Sequence, residues 1–384
     1  MIKRLFLFST SFSGDEEKNR ENGKLLNILH NIAIILTILK VQSLDQKEHV
    51  RKGNKIMTKE KLGKLLEQVE LPVISAPMFL VSGPDLVIET CKNGVIGSFP
   101  LLNARTDDIL EEWLITIKKE LQKAKHSQTG AKIAPWAVNL IVHRSNHRLE
   151  KQMELIKKHQ PPIVITSLGN PQGVVEIVQS YGGLVFSDVA TLRHAKKAAS
   201  LGVDGLILVC SGAGGHGGEL NPFAFMGAVR KFWNGITCIA GCVTSGRDVL
   251  AVRALGADFA YMGTRFIPAE ESMASFEYKK MVIESTSDDI IYTDAFSGVK
   301  GNYLIPSIKK AGIDPGNIPG KGSLDFSSRE GPQAKPWKDI WSAGQGVNSI
   351  DKISPVSEII ELLRKEYRQA LAGLRFSEEP FQNA

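Results

Sequence analysis

The chain is poor in cysteine. Four among 384 residues (Cys91, Cys210, Cys238 and Cys242) are too few for a disulfide framework, and each sits in an apolar setting. Cys238 and Cys242 lie close in sequence, but no second pair and no histidine stands at zinc-ligand spacing, so no metal site is predicted. These residues read as small buried hydrophobes in a reducing, cytoplasmic compartment. Membrane-length apolar runs are also lacking. The stretch Leu25–Leu39 is broken by Asn27, His30, Asn31 and Thr37, and is shorter than the roughly 20 residues a span requires. No small-residue cleavage site follows it, which argues against a signal peptide. Basic patches with interleaved aromatics are missing as well. Of the net charge of +6, residues 1–56 carry +4, so the body is close to neutral and offers no nucleic-acid surface.

Residues 1–56 therefore read as a leader outside the fold, with a membrane-surface helix as the competing reading and no stable insertion expected. From Met57 the pattern becomes regular, beginning with a helix over Lys59–Val69. Eight short apolar runs follow: Val73–Ala76, Val95–Phe99, Trp136–Leu140, Ile163–Ser167, Leu184–Ser187, Leu206–Val209, Ile236–Ala240 and Phe259–Met262. Amphipathic stretches such as Thr191–Leu201 and Arg247–Leu255 alternate with the later runs. Strands without a polar face, alternating with helices, predict a parallel sheet covered by helices. Eight units predict an α/β fold of the (β/α)8 TIM-barrel type over residues 57–275. A doubly wound open sheet is weaker, because no G-x-G-x-x-G follows the first strand. Residues 276–384 form a C-terminal loop-and-helix extension. Within it, residues 275–300 look helical and then irregular, Asn302–Ser328 reads as a long loop, and Ser357–Gly373 reads as a helix. The segment Trp337–Gly346 is placed to fold over the barrel mouth.

In a barrel of this kind the functional groups sit on the loops after the strands. The sixth such loop is the most informative part of the chain. Between Leu206 and Leu220, five glycines (Gly212, Gly214, Gly215, Gly217 and Gly218) surround His216 and remove the side chains that would keep a ligand away from its imidazole. The seventh and eighth loops, Gly241–Gly246 and Gly263-Thr264, are where phosphate groups bind in many barrels, on backbone N–H groups near a helix start. Ala76-Pro77-Met78 follows the first strand and Asn139 lies near the end of the third. Asp188, after the fifth, could serve at the rim or cap the next helix, and the cap is the preferred reading.

These motifs together resemble the nitronate monooxygenase family, formerly called 2-nitropropane dioxygenases. The likeness runs from about Leu71 to Leu374. It is carried by Ala76-Pro77-Met78, by Val138-Asn139-Leu140, by Ala213-Gly214-Gly215-His216-Gly217-Gly218, and by Ala240-Gly241-Cys242 with Gly263-Thr264-Arg265-Phe266. The resemblance implies an FMN-dependent barrel with His216 as the catalytic residue. The flavin phosphate is then expected on Gly241, Cys242, Gly263 and Thr264, with Asn139 and Met78 facing the ring. Ala76, Pro77, Cys210, Gly214 and Gly215 are expected around the same pocket. The chain departs from the family at Cys242, where a second glycine is usual, and at Asp188, where some members carry lysine.

The implied reaction converts an alkyl nitronate, or a nitroalkane after loss of its α-proton, with O2 into a carbonyl compound and nitrite. His216 is the expected general base, since imidazole titrates near neutrality. A flavin-dependent enoyl-thioester reductase using NAD(P)H would carry the same sequence signals, and a non-catalytic flavin sensor is a further alternative. Nothing in the sequence sets the oligomeric state.

Overall fold

The computed structural model describes residues 60–127, 130–318 and 338–377. The leader, residues 319–337 and the end of the chain lie outside the described residues. A helix over residues 60–67 precedes the first strand. The strands in chain order are β1 (Val73–Ser75), β2 (Gly97–Pro100), β3 (Trp136–Ile141), β4 (Ile163–Ser167), β5 (Leu184–Val189), β6 (Gly205–Val209), β7 (Gly215–His216), β8 (Ile236–Ala240), β9 (Phe259–Met262), β10 (Ile290–Thr293) and β11 (Gly301–Leu304).

Eight of these strands form one parallel sheet in the order β1-β9-β8-β6-β5-β4-β3-β2. A parallel bridge from Ile74 to Ile96 joins its two edges and closes the ring. This is the expected (β/α)8 barrel, not an open doubly wound sheet. Closure explains why the strands read as unbroken apolar runs, because both faces are covered. Ile74, Ile165, Phe186, Ile207 and Phe259 fill the barrel interior. Their neighbours Val73, Val164, Val185, Leu206 and Ala260 face the outer helices. The alternation continues upward, so that Asn139, Ser167 and Asp188 come next on the inward side of β3, β4 and β5.

Two expectations need correction. Asp188 does not cap the following helix, Leu192–Ser200. Thr191 does so, its hydroxyl accepting a hydrogen bond from the His194 N–H at 3.2 Å. Asp188 is too early to reach the helix start because it is still within β5. Nor is Asn302–Ser328 a long loop from its outset. Its first residues complete β11, and Ile305–Lys310 is helical with Pro306 in the first turn. Tyr303, Leu304 and Ile308 are wholly buried there, and their packing overrides the loop-like composition. β11 pairs antiparallel with both β10 and β7, making a small second sheet.

The C-terminal helix Val356–Ser377 packs on the helix Gly246–Ala254. Contact is close at Gly246, where a Cβ atom would lie 2.0 Å from the Leu363 carbonyl oxygen and 2.4 Å from the Tyr367 nitrogen. The Gly246 N–H donates to Glu366 Oε2 at 2.7 Å. No helix among the described residues is long and apolar enough to cross a membrane.

Gly246→Ala is expected to lower unfolding stability by about 1–3 kcal/mol, since backbone and not a flexible side chain must shift. Gly173→Ala is the control. Nothing lies within 4 Å of the added methyl group there, and the change is expected to be neutral or to stabilise by up to about 1 kcal/mol. Urea midpoints at unchanged m-value measure both.

Candidate active site

A cavity of about 740 Å³ opens at the carboxyl-terminal mouth of the barrel. A smaller one, about 450 Å³, lies at the opposite end beside Lys61, Lys118 and His159, away from the loops that carry chemistry in this fold. Ala76, Pro77, Met78, Asn139, Gly214, Gly215, His216, Gly241, Cys242, Gly263 and Thr264 all line the larger cavity. Cys210 does not. It is fully buried in the layer between sheet and helices, and its thiol donates to the Leu208 carbonyl at 3.3 Å. Cys91 and Cys238 are buried too, whereas the Cys242 thiol is exposed. Cys242 holds a φ of +56°, a conformation glycine adopts with less strain.

The glycine-rich segment carries β7, an edge strand of the small sheet, and is not a surface turn. His216 in β7 pairs with Gly301 of β11. The Gly217 N–H donates to the Lys300 carbonyl at 3.1 Å, and Asn302 Nδ2 donates to the Ala213 carbonyl at 2.7 Å. From the other side comes the tail. The Gly215 N–H donates to Ser342 Oγ at 2.6 Å, and the Gln345 N–H to the Gly212 carbonyl at 2.9 Å. A Cβ on Gly214 would stand 2.7 Å from the Gly344 nitrogen, so the two segments cross with no side chain between them.

His216 is half-buried, and its Nε2 lies 3.0 Å from Ser297 Oγ. That hydroxyl donates its one proton to the Val299 carbonyl at 3.0 Å and accepts from the Tyr303 hydroxyl at 3.1 Å. Nε2 must therefore carry the imidazole proton, which makes Nδ1 the basic nitrogen. Burial disfavours the imidazolium and pushes the His216 pKa down to about 4.

Across the mouth, Asn139 Nδ2 donates to Ser167 Oγ at 2.7 Å and to the Ile165 carbonyl at 3.2 Å. Ser167 Oγ in turn donates to Asp188 Oδ2 at 2.5 Å. Asp188 Oδ1 is buried and finds no partner among the described residues. Desolvation pushes this carboxyl up to about 6, opposed only by the Ser167 hydrogen bond. Ser167 does not stand out in the sequence, and there Asp188 fits the rim but reads in preference as a helix cap. The signal was the Ser and Ser-Asp that end otherwise apolar runs. Asn103 was missed as well. It holds the loop after β1 by accepting from the Leu80 N–H at 2.9 Å and donating to the Met78 and Ser82 carbonyls at 3.0 and 2.7 Å.

The anion-binding expectation for the seventh and eighth loops needs one refinement. The start of the helix Gly246–Ala254 is already satisfied. Asp248 Oδ2 accepts from the Thr244 and Ser245 N–H groups, and Glu366 accepts from that of Gly246. Earlier in the two loops, the backbone N–H groups of Cys242, Val243, Gly263 and Thr264 find no acceptor among the described residues. All four residues line the cavity. Bare amides beside Gly241, where an added Cβ would meet the Ser211 carbonyl oxygen at 2.8 Å, fit a phosphate ester at the end of a flavin.

A barrel with an imidazole at its mouth, a polar floor and bare amides opposite suits a phosphate-bearing ligand, and comparisons with known proteins say which class of enzyme this is. A model of the nitronate monooxygenase family matches residues 60–366, and the chain belongs to that family, whose enzymes are flavoproteins. A nitronate monooxygenase of Paraburkholderia phytofirmans is 22% identical over 363 residues, covering 80% of this chain and 95% of the relative. A (3aS,4S,5R,7aS)-5-hydroxy-7a-methyl-1-oxo-octahydro-1H-indene-4-carboxyl-CoA dehydrogenase of Rhodococcus jostii is 26% identical over 254 residues, 66% of this chain and 67% of that protein. Among solved structures, a nitroalkane oxidase of Streptomyces ansochromogenes superposes with a TM-score of 0.68 at 21% identity. It covers 80% of this chain and 99% of its own, and supports the fold.

The two perturbed groups have opposite pH slopes. Stability linked to His216 is present above its usual 6.5 and is lost as pH falls toward about 4. Stability linked to Asp188 is present below its usual 3.8 and is lost as pH rises through about 6. Between about pH 4 and 6 the slopes offset. His216 itself is expected to show no ring titration near pH 6.5 and to titrate only near 4. Histidine-resolved NMR, assigned with His216→Asn, is the check. An inflection near 6.5 contradicts the desolvated imidazole.

Proposed function

We propose that this chain binds FMN at the barrel mouth and oxidises alkyl nitronates with O2 to carbonyl compounds and nitrite. It accepts nitroalkanes to the extent that His216 removes their α-proton. The observation that carries this reading is the His216 imidazole on the cavity wall, held as the Nε2–H form by Ser297 with Nδ1 as the basic nitrogen. Bound FMN supplies the electron-accepting chemistry that makes the nitronate reactive toward oxygen. The protein supplies the rest. The amides of Cys242, Val243, Gly263 and Thr264 would hold the phosphate, and Met78 and Asn139, on the cavity wall, would border the ring. The glycines around His216 let the substrate's acidic carbon approach Nδ1.

Desolvation keeps His216 unprotonated throughout the physiological range and weakens it as a base, so proton transfer to it needs the compensating charge of the product. A nitronate anion formed beside it then stabilises the imidazolium by opposite charge. Ser297 holds the ring orientation through the transfer, because its accepting lone pair stays on Nε2–H whether or not Nδ1 is protonated.

A second reading has support of its own. The cavity lining also includes Asn170, Pro171, His194 and Lys197, and the Lys197 ammonium suits a phosphate-bearing acyl thioester. The carboxyl-CoA dehydrogenase among the relatives points the same way. On that reading the chain is an FMN-dependent enoyl-thioester reductase using NAD(P)H. Anaerobic mixing distinguishes the two, since bleaching of the flavin by NAD(P)H without nitronate favours the reductase.

For the preferred reading, His216→Asn is expected to lower nitroalkane turnover by about 10²–10⁴-fold while changing nitronate turnover far less. Nitrite release and oxygen uptake measure both. Equal losses on the two substrates overturn the base assignment.

A further inference from the structure

Asp188 takes no part in the chemistry above, yet it is a carboxyl brought into a closed barrel with one oxygen that finds no partner among the described residues. Its surroundings offer no counter-charge. Tyr261 on β9 and Cys238 on β8 face it across the barrel interior, and burial holds both neutral. His143, His194, Lys197 and His216 line the same cavity, and none of them contributes to its ionisation. Its one hydrogen bond comes from Ser167.

That single bond has a directional consequence. Ser167 has one proton, and Asp188 takes it. The Ser167 lone pair is then left for Asn139, which must present Nδ2 to it. With the Ile165 carbonyl also on Nδ2, the end of the Asn139 amide that faces the cavity is Oδ1, an acceptor. β3 and β4 stand opposite β8 and β9 in the eight-membered ring, so this acceptor lies across the mouth from the phosphate-binding amides. A flavin ring carries one N–H on its oxidised pyrimidine edge, at N3, between two carbonyls.

We propose that Asp188 is a positioning residue that, through Ser167, locks the Asn139 carboxamide with Oδ1 toward the cavity as the acceptor for the flavin N3–H. The proposal rests on the FMN reading above. Ionised Asp188 keeps Ser167 as its donor and Asn139 in the accepting orientation. Protonated Asp188 donates to Ser167 instead, which frees the Ser167 proton to compete for Asn139 Oδ1 and leaves the Ile165 carbonyl alone to hold Nδ2 away from the cavity, so the accepting orientation is weakened. Affinity for a flavin with an N3 proton therefore falls as pH drops through about 6, the region where desolvation has placed this carboxyl.

The test is equilibrium binding of FMN and of N3-methyl-FMN, from pH 5 to 8, to the wild-type chain, Asp188→Asn, Ser167→Ala and Ser167→Thr. The phosphate ionises in the same range in both ligands, so the result is read as the difference between them. Wild type and Ser167→Thr are expected to favour FMN over its N3-methyl form by about tenfold at pH 8, with the preference vanishing by pH 5. In Asp188→Asn and Ser167→Ala the preference is expected to be small and independent of pH. A preference that keeps the wild-type pH dependence in Ser167→Ala overturns the relay through Ser167. Equal binding of both flavins by the wild type at every pH overturns the N3–H assignment while leaving FMN as cofactor. A wild-type chain that takes up neither flavin overturns the cofactor reading and this inference with it.

Discussion

Where Gly214 passes Gly344, two stretches of backbone that are 130 residues apart in sequence touch without a side chain between them. The rest of the site depends on that crossing. It lets the tail lay its Ser342 and Gln345 bonds onto the glycine-rich segment and lets Thr264 Oγ1 accept from the Gly344 N–H at 2.9 Å. The tail thus ties the sixth loop to the eighth. Without it the glycine-rich segment would keep its pairing to β11 but lose its bonds to Ser342 and Gln345. A methyl group at either glycine would separate backbone from backbone, which no rotamer change can relieve.

The cavity is electrostatically asymmetric. One side presents bare backbone amides after β8 and β9, positive in partial charge and fixed in place. The other presents the Asn139–Ser167–Asp188 chain, which ends in a carboxylate. His216 stands over both as a neutral base. The carboxyl is raised and the imidazole lowered by the same cause, loss of water around each, acting on groups of opposite charge. Two carboxylates that could have competed for a phosphate, Asp248 and Glu366, are instead occupied at the helix start behind the loop.

Much of the fold was legible in the sequence. A parallel strand buried on both faces must be apolar throughout, so the eight strands stood out as short runs. Their count and their alternation with helices pointed to a closed barrel. The small sheet was not legible. β7 is two residues of glycine and histidine, with no periodicity to detect, and its partner β11 begins with glycine and leads into a proline-started helix. Such pairings arise from long-range packing and leave no local pattern. The same holds for Thr191 against Asp188. Both can cap a helix, and only the point at which β5 ends decides between them.

For the site, the residue types in the loops after the strands were set by the sequence: a histidine among glycines, small residues in the loops where a phosphate is expected, an amide near the end of β3. These follow from local chemistry, because only glycine tolerates such close approach and only certain side chains hold or move a proton. The tertiary structure alone decided which nitrogen of His216 is basic, which way the Asn139 amide faces, and that Cys210 lies off the cavity wall. It also brought Ser167 and Asp188 into the floor of the site. A hydrogen bond has a direction only once donor and acceptor are in place. Burial, which sets the charge of both titrating groups, belongs to the closed barrel and not to any segment of it.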